Sequence, residues 1–175
     1  MAFLLFNLFL VVILLILLYI LSMLWPPDSP WAPWWKTKKE ASREICKILK
    51  MSKDDIVYDL GSGDGSFIMV AAKEFRARVI GIEIDPLRYF WSKLLIKKNR
   101  LGNRVTVKRK NFFKEDISSA TIIFMYLVPK ALERLRPKLI KELKSGTRIA
   151  TYKYEINLPL LKYDSKNHVR IYKIS

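Results

Sequence analysis

The sequence predicts an α/β fold with a mainly parallel sheet, set behind one long apolar helix. Three observations carry this prediction. From Asp55 onward, short apolar runs alternate with stretches of helical periodicity. The first of these runs enters a glycine-rich turn, Gly61-Ser62-Gly63-Asp64-Gly65, that opens a helix. The chain ahead of Asp28 has no charged side chain at all.

The apolar segment comes first. Phe3 to Leu24 is broken only by Asn7, Tyr19 and Ser22. At ~1.5 Å per residue such a helix crosses a hydrocarbon core of ~30 Å. A cleaved signal peptide would carry a basic start, a shorter apolar run and a small-residue cleavage site, so an uncleaved anchor over residues 1–24 is the better expectation. Trp25, Trp31, Trp34 and Trp35 follow, and tryptophan prefers the headgroup zone. Lys36, Lys38, Lys39 and Arg43 then place the rest of the chain on the cytoplasmic side by the positive-inside rule. Pro26, Pro27, Pro30 and Pro33 stiffen a linker over residues 25–36, which keeps the domain at 37–175 near the membrane.

Next the domain. Lys36–Lys50 reads as a helix with Ile45, Ile48 and Leu49 on one face, and Cys46 is expected among them as a buried residue. Strands are predicted at Asp55–Leu60, Arg78–Ile84, Arg104–Lys108, Thr121–Leu127 and Thr147–Tyr154, with helices at Phe67–Phe75 and Pro86–Asn99. Thr121–Leu127 is a continuous apolar run, as suits a strand buried on both faces. Pro129 opens a further helix, where its missing N–H costs nothing, and Gly146 ends it. Leu160–Tyr163 and Val169–Ile174 form a closing antiparallel pair around Asp164–Asn167. Ligands of such a sheet bind beyond the carboxyl ends of its strands, at the topological switch point.

Composition narrows the chemistry. The 175 residues carry a net charge of +16, from 32 Lys and Arg against 16 Asp and Glu. That excess favours anionic surroundings such as lipid headgroups, nucleic acid or acidic proteins. One cysteine, Cys46, and one histidine, His168, give no zinc-type ligand cluster and leave little material for a catalytic triad.

The glycine turn excludes two familiar phosphate sites. A P-loop needs Gly-Lys-Ser/Thr, which is absent. A dinucleotide fingerprint needs Gly or Ala three residues after Gly63, where Ser66 stands. Asp64 at the helix start also opposes a pyrophosphate. A ligand with a positive group fits better, and S-adenosyl-L-methionine carries an ammonium and a sulfonium. Asp59, two residues before the first glycine, can face the amino-acid end of that ligand. Glu83, near the end of the second strand, can accept from a ribose diol, with Asp85 as the alternative. Asn111 can pair with the adenine edge and Phe112 can pack on the ring. Ser62 and Ile84 complete the expected cofactor set with Gly61, Gly63 and Asp64.

Several strings carry a more specific resemblance. They are Val57-Tyr58-Asp59-Leu60-Gly61-Ser62-Gly63-Asp64-Gly65, Gly81-Ile82-Glu83-Ile84-Asp85-Pro86, Asn111-Phe112-Phe113 through Asp116-Ile117-Ser118, and Tyr126-Leu127-Val128-Pro129. Leu135-Arg136-Pro137-Lys138-Leu139 and Glu142-Leu143-Lys144-Ser145-Gly146-Thr147-Arg148 belong with them. Together they resemble the seven-β-strand protein-lysine methyltransferases, a group with an archaeal enzyme of broad specificity and mitochondrial, membrane-anchored eukaryotic members. The resemblance implies a Rossmann-like seven-stranded methyltransferase sheet with its last strand antiparallel. It implies S-adenosyl-L-methionine as cofactor, protein lysines as acceptors, and cofactor roles for Asp59, Gly61, Gly63, Glu83 and Asn111. It also implies that Trp31-Ala32-Pro33-Trp34-Trp35 lines the acceptor channel. The sequence departs from the group at three places. Trp replaces the second proline of the group's Val-Pro-x-Pro-like string, Ser66 stands where Arg is usual, and Thr151-Tyr152-Lys153-Tyr154 replaces a Ser-His-acidic-Phe string.

On the acceptor side, Tyr126 at the end of the fourth strand is expected beside the transferred methyl, and Trp34 and Trp35 beside the acceptor lysine. Tyr126-Leu127-Val128-Pro129 is not the Asn-Pro-Pro-Tyr-type string that favours an amide or base amine. Methylation of RNA, a lipid or a quinone precursor is the alternative, with nucleic acid not favoured. A cofactor-binding protein without turnover is the third reading.

Overall fold

A computed structural model describes residues 1–24 and 35–174. Helix α1 runs from Ala2 to Leu24, and Phe3–Leu21 within it is long and apolar enough to cross a membrane. The linker with Trp34 lies outside the described residues, apart from its last two, Trp35 and Lys36. The remaining elements are α2 (Lys39–Ile48), β1 (Ile56–Leu60), α3 (Ser66–Glu74), β2 (Arg78–Glu83), α4 (Pro86–Lys98), β3 (Val105–Arg109), β4 (Ile122–Met125), α5 (Pro129–Glu142), β5 (Arg148–Tyr152), β6 (Leu160–Asp164) and β7 (Val169–Lys173).

The strands form one seven-stranded sheet in the order β3-β2-β1-β4-β5-β7-β6. The first five in that order are parallel, and β7 pairs antiparallel with both β5 and β6. Order reverses between β1 and β4, so the crevice for a ligand opens at their carboxyl ends. All of β4 is buried, as its run of Ile122, Ile123, Phe124 and Met125 requires of a strand covered on both faces.

Two apolar layers hold the sheet. On one face α2, α3 and α4 pack over Val57, Val79, Ile122 and Phe124. Cys46 is buried there, and burial pushes its thiol up. Phe67 of α3 stacks on Phe124 with ring centroids 3.9 Å apart. On the other face Leu132, Leu135 and Leu139 of α5 cover Leu60, Ile123 and Ile149. The amino ends of three strands are tied by one buried carboxylate. Asp55 accepts from the Ser52 N–H at 2.8 Å, from the Thr121 hydroxyl at 2.7 Å, and from Arg148.

Four of the shifts in predicted boundaries have a clear local reason. The second helix begins at Lys39 because Lys38 is extended, which releases Trp35 to Thr37 toward the crevice. The fourth strand stops at Met125, and Tyr126 and Leu127 leave the sheet to line that crevice. The fifth strand stops at Tyr152 because Lys153 turns to a φ of +65°. The helix begun by Pro129 ends at Glu142, earlier than Gly146. Leu143 is extended, and Gly146, at a φ of +90°, forms the turn into β5.

Candidate active site

The crevice is lined at the carboxyl ends of β1, β2 and β4. Asp59 and the loop after it form the floor, Glu83, Ile84 and Asp85 one side, and Phe112, Tyr126 and Leu127 the other. Trp35, Lys36 and Thr37 close it from the segment before α2.

Sterics explain the glycines. Gly61 has a φ of +84°, and a Cβ there would stand 3.2 Å from Leu127. At Gly81 in β2 a Cβ would meet the Ser62 hydroxyl at 2.8 Å, so only glycine lets the loop lie this close to the sheet. The loop is then pinned. The Gly63 N–H donates to Glu83 Oε2 at 2.7 Å, the Asp85 N–H donates to Oε1 at 2.8 Å, and the Ser92 hydroxyl of α4 donates to the Gly63 carbonyl at 3.0 Å. Asp85 caps α4 by accepting from the Arg88 N–H at 2.8 Å.

The electrostatics of the floor are unfavourable as they stand. Asp59 is 3 % exposed, and among the described residues no donor reaches its carboxyl. Burial, with Glu83 and Asp64 nearby, raises its pKa well above the usual aspartate range. Burial also raises Glu83, against the two N–H groups it accepts from. Asp64 sits 3.0 Å from the Lys36 ammonium and accepts from the Ser66 hydroxyl at 2.6 Å. The buried Ser62 hydroxyl has no hydrogen-bond partner. A floor with an unsatisfied carboxyl and an orphaned hydroxyl calls for a ligand that brings donors and positive charge.

Asn111 is the one described residue of the expected cofactor set that does not line the crevice. Its Oδ1 accepts from the Phe113 N–H at 3.0 Å, which shapes the turn that presents Phe112. Thr37 and Arg88 line the crevice without having been singled out in the sequence, and Lys36, marked there only as an orientation signal, lines it too. Lys36 and Thr37 directly follow Trp35, so the expected acceptor segment extends two residues further than its tryptophans.

A second constellation borders the crevice beside Tyr126. The Tyr126 and Tyr152 rings meet edge to face with centroids 4.8 Å apart, and Tyr154 stacks 6.4 Å from Tyr126. The Lys153 ammonium lies over three rings, 5.4 Å from Tyr126, 5.7 Å from Tyr152 and 5.9 Å from Trp35. The Tyr126 hydroxyl beside this ammonium holds it above the usual lysine range. Sequence reading marked these positions only as a departure from the group's string. The alternation of tyrosine and lysine over Tyr152-Lys153-Tyr154 was the available signal.

This sheet order, with a glycine loop after β1 and an acidic residue ending β2, defines a class I S-adenosyl-L-methionine-dependent methyltransferase. The residues present suit that cofactor: the buried Asp59 carboxyl, the orphaned Ser62 hydroxyl and the Glu83 carboxylate match a ligand that carries an ammonium and hydroxyl groups. The chain belongs to the family described as the ANTKMT methyltransferase domain, which matches residues 59–159. It is 44% identical over 121 residues to the protein-lysine N-methyltransferase of Saccharolobus islandicus, covering 69% of this chain and 75% of that one. It is 24% identical over 118 residues to the adenine nucleotide translocase lysine N-methyltransferase of Mus musculus, covering 66% of this chain and 52% of the relative. Among solved structures, the RNA methyltransferase of Salinibacter ruber in complex with S-adenosyl-L-homocysteine superposes with a TM-score of 0.76 and 28% identity, over 80% of this chain and 92% of that one.

Proposed function

We propose that the chain is a membrane-anchored protein-lysine N-methyltransferase, with residues 1–24 as anchor, 25–36 as linker and 37–175 as the catalytic domain on the cytoplasmic side. The observation that carries the lysine reading is the ammonium of Lys153 held over Trp35, Tyr126 and Tyr152 at the crevice wall. A wall that holds one lysine ammonium can receive another. The lysine methyltransferases of Saccharolobus islandicus and Mus musculus support the same substrate class. The apolar helix over Phe3–Leu21 supports the anchor.

The cofactor supplies a sulfonium-activated methyl group for in-line displacement, which needs no enzyme nucleophile. The chain's residues bind and orient. Asp59 accepts from the cofactor's amino group, Glu83 from its ribose, and the backbone of Gly61 and Gly63 lets it lie close. Ser62, Asp64 and Ile84 line its path. Phe112 covers the adenine ring, with Asn111 setting that loop. Tyr126 and Trp35 form the acceptor channel, where ring faces bind the lysine as its ammonium, which must lose a proton before it attacks.

The test is incubation of the full chain with methyl-labelled cofactor and membranes of the source cell, with Glu83→Ala as control. Label on lysine, found by mass spectrometry and absent with the control, supports the reading. One specific observation favours a second reading, RNA methylation: the 28% identity to the RNA methyltransferase of Salinibacter ruber, on a chain of net charge +16. Label in RNA, with binding that falls steeply with salt, would replace the lysine reading. Label in lipid or in a quinone precursor would replace it too. Cofactor binding with no label anywhere would leave a binding protein without turnover.

A further inference from the structure

Helix α4 carries an apolar stripe on its outer surface. Leu87, Phe90, Trp91 and Leu94 fall at positions i, i+3, i+4 and i+7, one face of a helix. They are 51%, 59%, 54% and 57% exposed. The inward side of the same helix buries only Ser92 and Ile96. A soluble domain has no reason to keep four large apolar side chains in one line on its surface.

The charge on the helix itself is of one sign. Helix α4 contains Arg88, Lys93, Lys97 and Lys98 and no acidic residue. Beside it, a groove between α3 and α4 is lined by Trp91 together with Lys36, Lys39 and Lys73, and its two carboxylates, Asp64 and Glu74, are paired with Lys36 and Arg43. An apolar stripe with an aromatic residue at its centre and lysines at its borders is the pattern of a helix lying in a membrane interface. Lysine stems cover apolar surface while their ammonium groups reach outward to phosphates.

We propose that α4 is a membrane-docking helix, with its Leu87-Phe90-Trp91-Leu94 face in the headgroup–acyl boundary of an anionic leaflet. Charge complementarity selects this occupant. Two copies stacked stripe to stripe would bring their basic borders together, whereas anionic headgroups neutralise them. Docking is separate from the anchor, because α4 belongs to the folded domain. Its consequence is geometric. Asp85 and Arg88, at the first turn of α4, line the cofactor crevice, so docking fixes the crevice close to the lipid surface. Acceptor lysines are then those of membrane proteins, just outside the bilayer.

Spin labelling of the full chain in vesicles tests this. Cys46 is fully buried, so a cysteine placed on the surface is the one that reacts. Leu94→Cys reports the stripe, and Lys141→Cys, exposed on α5 across the sheet, is the control. In vesicles of phosphatidylcholine with phosphatidylglycerol, the Leu94→Cys label should be severalfold more accessible to oxygen, and less to a water-soluble nickel complex, than the label of the control. Replacing Lys93, Lys97 and Lys98 with Gln should reverse that difference while cofactor binding is retained. Equal nickel accessibility at both positions would overturn the proposal. Shielding that is the same in detergent as in vesicles would assign the stripe to the chain's own α1 and overturn it as well. Dipolar broadening at Leu94→Cys in detergent would assign the stripe to a second copy, with the same effect. None of these readouts depends on methyl transfer, so loss of the lysine reading would leave them unchanged.

Discussion

The Lys153 ammonium sits 5.4 Å from the centre of the Tyr126 ring, and that tyrosine holds it above the usual lysine range. Lys153 follows β5 directly, and its φ of +65° turns its backbone out of the strand. Its N–H donates to the His168 carbonyl at 2.8 Å and its own carbonyl accepts from Arg170 at 2.9 Å, so the backbone that carries the ammonium is fixed on both sides.

An acceptor lysine that uses the same rings competes with Lys153. Lys153→Ala should therefore lower KM for a lysine-containing peptide by about two- to fivefold, the strength of an exposed cation–π contact, with little change in kcat. Lys153→Arg keeps a cation over the rings and should behave as the parent does. Steady-state kinetics on the three chains decide it, and an unchanged or raised KM in Lys153→Ala would separate Lys153 from the acceptor path.

Glu83 both braces the loop and offers lone pairs to the cofactor. Glu83→Gln keeps one acceptor but loses the charge, and places an NH2 against the Gly63 or the Asp85 N–H. Cofactor affinity should fall roughly 10- to 100-fold, as expected for a hydrogen bond to a charged group. Calorimetric titration measures it, and a loss below about threefold would assign Glu83 to bracing alone.

Asp59 predicts a conflict between stability and binding. Its folded pKa is raised, so it takes up a proton on folding, and its cost appears as pH rises from the ordinary aspartate range through the folded value. Asp59→Asn removes that cost. Without cofactor, the variant should be more stable by ~1–2 kcal/mol at neutral pH, with the gain vanishing toward acid. Its cofactor affinity should fall at least ~10-fold. Thermal melts at several pH values, with and without S-adenosyl-L-homocysteine, show both effects. A variant less stable than the parent at neutral pH would contradict the assignment.

Asp55 lies at the opposite ends of the strands and should affect stability alone. Asp55→Ala leaves Thr121 and the half-buried Arg148 without their shared acceptor. Denaturant unfolding should show a loss of ~2–4 kcal/mol, with cofactor affinity in the folded protein unchanged.

Much of this protein could be read from its residues in order. Apolar runs located the central strands, since a strand buried on both faces needs continuous hydrophobicity wherever it lies in the chain. The turn after β1 was legible because a close backbone approach restricts its positions to glycine, and the acidic residue ending β2 because it stands about 20 residues beyond that turn. Tertiary structure decided what depends on neighbours far apart in sequence. That Gly81 must be glycine follows from the Ser62 hydroxyl across the sheet. That Asn111 turns to its own loop follows from the Phe113 N–H. The seating of Lys153 over Trp35 joins residues from the two ends of the domain, and the stripe of α4 is a surface feature because the helix packs inward through Tyr89, Ser92 and Ile96 instead. Local pattern sets which element forms, because backbone hydrogen bonding and burial act over a few residues. Which side chains meet, and which stay uncovered, is settled when the sheet brings distant segments together.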